Sequence, residues 1–398
     1  MSNDDDRPPN PTRVLMVLDS FSAGGAETLT AELVRCAPDT MEVSVASLAP
    51  AERSSVDVVE RLTQVGPRPT YLDVRRLRDV AGFVRLVRKF RSAPVDVIHA
   101  HLTTSAILVS LAAWLARKPV VATLHVNPQT NAGRGDWIKE RLATWLPAAL
   151  GRLVTVSQYA HDRYAQSHGP VGSTWRVIHN GVDLNQYQAH RSTRRGRGPV
   201  WATVAALRPN KNHVELVRAW ADVVAVHPDA TLLVVGDGPS RGGVERAVAD
   251  AGLGDSVQFL GFRNDVADIL GTVDGVVTAS VEEALPTALI EAGACGLPVV
   301  AADAGGTREI VVDRLTGRLV PLHDVPALSA ALLETIGEPA LAAEYGAAGR
   351  ARIEEKFSMD TWIEQLQLLY QEVIEDQSRD WWVRSPHDRT ARRADCVA

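Results

Sequence analysis

Ser280-Val281-Glu282-Glu283-Ala284-Leu285-Pro286-Thr287-Ala288-Leu289-Ile290-Glu291 sets two carboxylates, Glu283 and Glu291, eight residues apart across the start of a helix. Pro286 lacks an N–H and has φ preset near −65°, which suits a first helical position. Thr287, Ala288 and Leu289 then follow in the first turn with free backbone N–H groups. Such an end favours an anion such as a diphosphate. Glu283 would stand just before the helix, at the mouth of a site. Glu291 would lie about a turn and a half further in, able to accept hydrogen bonds from sugar hydroxyls. Taken alone, the same spacing also describes a surface helix with incidental glutamates.

The run continues Glu291-Ala-Gly-Ala-Cys-Gly-Leu-Pro-Val-Val-Ala-Ala-Asp-Ala-Gly-Gly-Thr-Arg-Glu-Ile-Val311. Together the two stretches resemble the C-terminal half of family 4 glycosyltransferases, a large retaining family with the GT-B fold. The resemblance implies that Glu283 contacts the donor sugar and Glu291 the ribose. It also implies donor contacts at Leu285, Thr287, Ala288 and Leu289. One position departs from the family: Ala284 stands where Gly is usual, and its methyl is expected to tighten the approach to the diphosphate.

The 398 residues suffice for two domains of ordinary size. Apolar content of 45% and charged content of 23% are those of a soluble globular protein. A formal net charge of −6 argues against a general nucleic-acid binder. Cys36, Cys295 and Cys396 are far apart and lack metal spacing, which points to a reduced, cytoplasmic chain. The acidic, proline-rich start does not read as a signal peptide. The longest apolar run, around Ala106 to Ala116, is far short of the roughly 20 residues of a spanning helix.

Residues 1–12 read as a disordered tail. From 13 to 190, apolar runs at Arg13–Leu18, Glu42–Leu48, Val95–His99, Val120–His125 and Leu153–Ser157 alternate with helical patterns, among them Glu27–Arg35 and the basic stretch Arg75–Arg91. This alternation predicts an α/β domain with a parallel sheet covered on both faces. The polar segment 191–199 reads as a linker. A second series occupies 200–360, with strands at Val200–Ala206, Thr231–Val235, Val257–Leu260, Gly275–Ala279 and Pro298–Ala302. Two Rossmann-like, doubly wound parallel-sheet domains facing a central cleft make up the GT-B architecture. Ligands in such sheets bind beyond the carboxyl ends of the strands. The resemblance implies that a C-terminal helix at 361–376 returns to the first domain. The tail at 377–398, with Trp381 and Trp382, has no assignment.

Gly24-Gly25-Ala26-Glu27 follows the first strand, where glycines allow close approach of a phosphate. By itself a Gly-Gly pair is equally a tight turn. By resemblance this loop faces the donor diphosphate and the acceptor across the cleft, which brings Glu27 to the acceptor side. His99 and His101, in Asp-Val-Ile-His-Ala-His, read as cleft-lining hydrogen-bonding residues rather than metal ligands, since zinc needs more partners. His125 ends another strand, open between a structural role and orienting a sugar hydroxyl. The family's Thr-x-His pattern implies the sugar. The loop Asn127–Asp136 reads as a mobile lid on the acceptor side.

Asn180-Gly181-Val182-Asp183 matches the family's interdomain segment, and Asn180 is equally a turn residue. Ala205-Ala206-Leu207-Arg208-Pro209-Asn210-Lys211 matches the family's phosphate-binding region. Lys211 fits the family lysine, while Ala206 replaces the usual Arg. Arg208, two residues on, has a fork suited to phosphate oxygens. Gly236-Asp237-Gly238 and Phe259-Leu-Gly-Phe262-Arg263 match segments near the nucleotide and its base.

These readings imply a retaining glycosyltransferase. Glu283, His125, Lys211 and Arg208 would be catalytic, and Gly24, Gly25, Gly238, Phe262 and Glu291 would join the donor site. Glu27, His99, His101 and Asn180 would line the acceptor side of the cleft. The co-substrate is a nucleoside diphosphate sugar, with neither metal nor cofactor expected. Two alternatives stay open: a non-catalytic sugar-nucleotide-binding partner subunit, motivated by Ala206 and Ala284, and a transferase at the inner membrane face. The second would use Arg85, Arg88 and Lys89 for anionic lipid. The acceptor would be a saccharide, a lipid-linked sugar or a small molecule.

Overall fold

A computed structural model describes residues 10–22, 24–129, 133–169, 172–188 and 198–378. Most of the expected 1–12 tail, 191–199 linker and 377–398 tail lies outside these residues. The first series comprises β1 (Thr12–Leu18), α1 (Gly25–Cys36), β2 (Met41–Ser47), α2 (Val56–Val65), β3 (Thr70–Tyr71) and α3 (Val80–Ser92). It continues with β4 (Val97–His101), α4 (Thr103–Ala116), β5 (Val120–Leu124), α5 (Arg134–Leu150), β6 (Arg152–Thr155), α6 (Gln158–His168) and β7 (Trp175–Val177). The strands form one sheet in the order β3-β2-β1-β4-β5-β6-β7, every pair parallel.

Parallel strands linked by helices must be covered on both faces, which explains their unbroken apolar character. β4 and β5 are buried along their whole length. On one face Leu86 and Phe90 of α3, Val109 and Ala112 of α4, and Ala143 of α5 pack on Ile98, Ala100, Val120 and Ala122. α4 lies between α3 and α5 and is apolar nearly all round, as suits a helix that is largely buried.

The second series comprises β8 (Val200–Val204), α7 (His213–Val226), β9 (Thr231–Val235), α8 (Arg241–Asp250), β10 (Val257–Gly261), α9 (Val266–Leu270) and β11 (Gly275–Thr278). Then come α10 (Thr287–Ala294), β12 (Val299–Ala302), α11 (Thr307–Ile310), β13 (Gly317–Val320), α12 (Val325–Gly337) and α13 (Pro339–Lys356). Its sheet runs β10-β9-β8-β11-β12-β13, again all parallel. The last helix, α14 (Met359–Ser378), covers the second face of the first sheet. There Trp362, Leu366, Leu369, Tyr370 and Val373 pack with Val14, Met16, Leu29, Leu33, Val97 and Val121.

The chain crosses between the sheets twice, and the two crossings lie side by side. The Val182 amide donates to the Phe357 carbonyl and the Met359 amide to the Val182 carbonyl, each at 2.9 Å. Gly181 is obligatory here. A Cβ would stand 2.7 Å from the Ser358 carbonyl and 2.8 Å from Cβ of Trp362.

Several expected boundaries move for local reasons. The basic helix begins at Val80, not Arg75, because Asp79 is its N-cap and accepts the Gly82 amide at 2.8 Å. The strand expected at Val95–His99 is Val97–His101, so both histidines lie inside it. β3, β7 and β13 are short and were not expected.

Candidate active site in the cleft

Strand order reverses between β1 and β4 in the first sheet and between β8 and β11 in the second. Loops leaving the carboxyl ends of two such strands part company and open a crevice. Beyond β8 lies the 205–212 loop; beyond β11 lies 279–286.

The 205–212 loop is held from below by main chain. Amides of Ala205 and Leu207 donate to the carbonyls of Val235 and Asp237 at 3.0 Å. Gly236 and Gly238 have φ of 137° and 157°. A Cβ on them would lie 2.0 Å from the Ala205 carbonyl and 2.6 Å from that of Leu207. Gly238 therefore serves to seat the loop. From the other side, Val281 donates its amide to the Asn210 carbonyl at 2.9 Å. Lys211 closes this arrangement, with Nζ 2.5 Å from Glu283 Oε1 and both side chains largely buried. The structure thus brings together two of the residues expected to be catalytic. Ala206 and Arg208 are both exposed, and the Arg208 guanidinium has no partner among the described residues.

α10 starts at Thr287, one residue later than expected, and Pro286 is its N-cap. The Leu289 amide bonds the Pro286 carbonyl at 3.0 Å. This corrects the expectation of three free amides: Thr287 and Ala288 are those without a backbone acceptor among the described residues. Leu285 and Leu289 are buried in the core, so their side chains cannot face a ligand. Ala284 is also in that core, which overturns the expectation that its methyl narrows the approach to a diphosphate. Glu291 is partly buried. Burial pushes its carboxyl up to about 7, opposed by the Tyr187 hydroxyl that donates to it and reinforced by the charge of Glu32. Phe262 is exposed.

The expectation that His99 and His101 line the cleft is wrong. They are 0% and 2% exposed. α14 covers this face of the sheet and takes His99 into its packing, with His99 Nδ1 2.7 Å from the Tyr370 hydroxyl and Nε2 2.7 Å from Thr123 Oγ1. His101 stands behind His125, Nδ1 to Nε2 at 2.9 Å. Of the three, His125 alone is partly exposed. Burial holds His125 down at about 4 and His99 at about 3, and His101 well below the usual imidazole range. After His101 the chain turns through Leu102, whose φ of 74° marks strained backbone at the cleft.

Gly24 is the N-cap of α1, where a Cβ would lie 2.7 Å from Glu27 Oε2, whereas a Cβ on Gly25 would meet nothing. Open space there leaves room for a ligand. Glu27 itself is buried and accepts from the Ser22 hydroxyl at 3.1 Å, with burial raising its carboxyl above the usual range. Glu27 supports the loop from beneath rather than lining the acceptor side. Asn180 is buried next to the double crossing and also lies away from the cleft surface.

Other residues of the cleft carried no local signal. Ser157 caps α6 by accepting the Ala160 amide at 3.0 Å, and its hydroxyl donates to the Ala284 carbonyl at 2.6 Å. Glu309 of α11 accepts the amides of Gln158 and Tyr159 at 2.9 and 2.8 Å and lies 2.8 Å from His179 Nε2. Burial pushes the Glu309 carboxyl up, but those bonds outweigh it and hold it below its usual range. Gly305 and Gly306 fit flush here, since a Cβ would lie 2.2 Å from the Glu283 carbonyl or 2.1 Å from that of Ala284. Glu309 sits within the quoted Gly-Gly-Thr-Arg-Glu run, yet its partners are in the other domain.

Among the described residues, Glu32, Cys36 and Asp183 group their ligand atoms within 4.8 Å. Arg35 already pairs with both carboxylates, 2.6 Å from Asp183, and burial pushes the Cys36 thiol up to about 11. A metal would have to displace a guanidinium there. Of the cations expected to meet lipid, Arg85 and Lys89 bond the carbonyls of Asp73 and Tyr71 at 3.2 and 2.7 Å, bracing that loop, and Arg88 is exposed. A hollow of about 920 Å³ at the opposite end of the second sheet, near Asp229 and Asp255, takes no part in this site.

The family model "Glycosyltransferase Family 4" matches residues 23–186, and "Glycosyl transferases group 1" matches 187–352. A GDP-mannose-dependent monoacylated α-(1-6)-phosphatidylinositol monomannoside mannosyltransferase of Corynebacterium glutamicum is 32% identical over 54% of this chain and 60% of its own length. A GDP-mannose-dependent α-(1-6)-phosphatidylinositol monomannoside mannosyltransferase of Mycolicibacterium smegmatis is 31% identical over 52% of this chain. The match spans 57% of that relative, so in both cases little more than half of the curated relative is covered. Anabaena HepE, solved with UDP and glucose, superposes with a TM-score of 0.80 at 23% identity, over 91% of this chain and 100% of that one.

Proposed function

Because the chain belongs to glycosyltransferase family 4, with the GT-B fold, we propose that it moves a hexose or N-acetylhexosamine from a nucleoside diphosphate to a hydroxyl acceptor with retention at the anomeric carbon. The observation that carries this reading is the Lys211–Glu283 pair at the switch point of the second sheet, beside the first-turn amides of α10. UDP is the first choice of nucleotide, and GDP is the alternative raised by the two mannosyltransferase relatives.

In this reading the ribose diol donates to Glu291 and a sugar hydroxyl to Glu283. Thr287 and Ala288 amides, Lys211 and the unpartnered Arg208 stabilise the departing diphosphate. Arg208 reaches it in place of the Arg that Ala206 replaces. Preorganised donors aimed at developing charge are often the largest single contribution to such a reaction. The bond from the anomeric carbon to the diphosphate oxygen breaks as the acceptor oxygen bonds that carbon. The acceptor proton passes to a diphosphate oxygen.

Nucleotide release from UDP-, GDP- and ADP-sugars, with Glu291→Ala as control, tests the proposal. Turnover of one donor that is lost in the variant supports it. Release unaffected by the substitution, or nucleotide binding without turnover under any acceptor, refutes it.

A second observation favours a lipid-linked acceptor at a membrane surface. α5 leads out of the loop after His125 and exposes Trp137, Ile138 and Trp145 at 40%, 44% and 61%. Arg134 and Arg141 lie on the same side, the Arg141 guanidinium 5.3 Å from the Trp137 ring centre. Aromatic rings interleaved with cations suit the interface of an anionic bilayer. No helix among the described residues is long and apolar enough to cross one. Sedimentation with phosphatidylglycerol vesicles, lost on Trp137→Ala/Trp145→Ala but kept on Arg85→Ala/Arg88→Ala, is the expected result; the reverse pattern would move docking to α3.

A further inference from the structure

His101 has one buried ring nitrogen too many. Its Nδ1 meets Nε2 of His125 at 2.9 Å, while its Nε2 is buried with no hydrogen-bond partner among the described residues. The ring is fixed in place. It packs against His99 at 4.2 Å between ring centres, and against His125 at 5.2 Å with the planes 22° apart. His99 offers no help, because both its nitrogens are taken by Tyr370 and Thr123.

Burial keeps His101 and His125 uncharged at neutral pH, so each carries one N–H and one lone pair. Two tautomeric arrangements fit the shared hydrogen bond. If His125 donated, His101 would carry its proton on Nε2, an N–H sealed from water with no acceptor. If His101 donates, the sealed atom is a bare lone pair. Buried N–H groups without an acceptor are rarer in proteins than under-satisfied acceptors, and the tautomer of one imidazole follows from the bond its other nitrogen makes.

We infer that His101 is a positioning residue for the cleft: its Nδ1–H donates to His125 Nε2, which places the His125 proton on Nδ1. His125 then presents an N–H donor to whatever occupies the site, and it can receive nothing there. The His125 Nδ1 has no partner among the described residues and the residue is partly exposed. On the reading above, that donor serves an oxygen of the transferred sugar. The tautomer itself does not depend on that reading.

The experiment is a long-range ¹H–¹⁵N correlation spectrum of the full chain labelled with ¹⁵N-histidine at pH 7, with the His125 signals identified by His125→Gln. The expected pattern is the Nδ1–H tautomer at both His101 and His125. An Nε2–H pattern at His125 overturns the inference. His101→Phe, checked for an unchanged fold by circular dichroism, should turn His125 into a mixture of tautomers. A single unchanged tautomer in that variant would show that His101 does not set it. The Nδ1–H pattern in a protein that releases no nucleotide from any donor leaves this inference standing while removing the proposed function.

Discussion

Ser157 and Ala284 belong to different domains, yet the Ser157 hydroxyl donates to the Ala284 carbonyl at 2.6 Å while capping its own helix. The loop that carries Glu283 is thus set by the position of the other sheet. Ser157→Ala removes a cap worth about 1 kcal/mol and frees that loop. The melting temperature should fall by a few degrees and the donor KM rise several-fold. A lowered melting temperature with an unaltered KM would confine Ser157 to stability.

Lys211 and Glu283 are each other's partner before any donor arrives. Lys211→Ala should reduce kcat by roughly 10²-fold or more if the ammonium stabilises charge on the leaving diphosphate. It should also leave Glu283 largely buried without its cation. Single-turnover donor hydrolysis separates these effects, and a kcat within twofold of the parent would remove Lys211 from the machinery.

If Glu291 holds the ribose as proposed, it would link nucleotide binding to protons. Its carboxyl stands at about 7 instead of 4.5, chiefly through burial. The folded protein therefore holds a proton that the unfolded chain has released between these values, and this group's contribution to stability falls as pH rises across that window. A ribose diol donates more strongly to the ionised form, so UDP binding at pH 7 should release up to about half a proton. Calorimetry in two buffers of different ionisation enthalpy measures it. Glu291→Gln should abolish the release.

Acid should act in the opposite sense through the imidazoles. Below 6.5 the unfolded chain protonates at His99, His101 and His125, whereas the folded protein keeps His125 neutral down to about 4 and His99 to about 3. Each contributes a loss of up to about 1.4 kcal/mol per pH unit as pH falls through that range. Glu291 offsets part of it, so Glu291→Gln should steepen the decline in melting temperature from pH 6.5 to 5. A flat profile in both proteins would contradict the burial of these rings.

Ala284 differs from the residue usual at this position, yet its methyl is in the core. Ala284→Gly should cost about 1 kcal/mol through lost burial and added chain entropy, with donor KM within twofold. Thermal melts beside initial rates decide this, and a markedly lower KM in the glycine variant would restore a role at the diphosphate.

The two alternating series were legible because parallel strands are apolar along their whole length; β9 falls at Thr231–Val235, as the pattern indicates. The glycines at 236 and 238 follow from the strand end, whereas Lys211 is marked through the family resemblance and its pairing with Glu283 appears only in the structure. His99 and His101 misled because alternation along a strand does not say which element covers each face. Tyr370, far along the chain, decides that. Glu309 was equally silent: an acid two residues after Gly-Gly-Thr looks like a surface residue until α6 is brought to it. Long-range hydrogen bonds of this kind leave no periodicity in sequence.

α14 supplies much of the packing on one face of the first sheet, against Val14, Met16, Val97 and Val121. During synthesis the chain leaves the ribosome from its N-terminus, so residues 13–188 emerge with that face covered only in part, by Leu29 and Leu33 of α1. The rest stays uncovered until the whole second sheet has been made and residues 359–373 follow. The first-made half is therefore the last to be finished, and a ribosome-bound chain stopped before Met359 should expose an apolar surface that chaperones recognise.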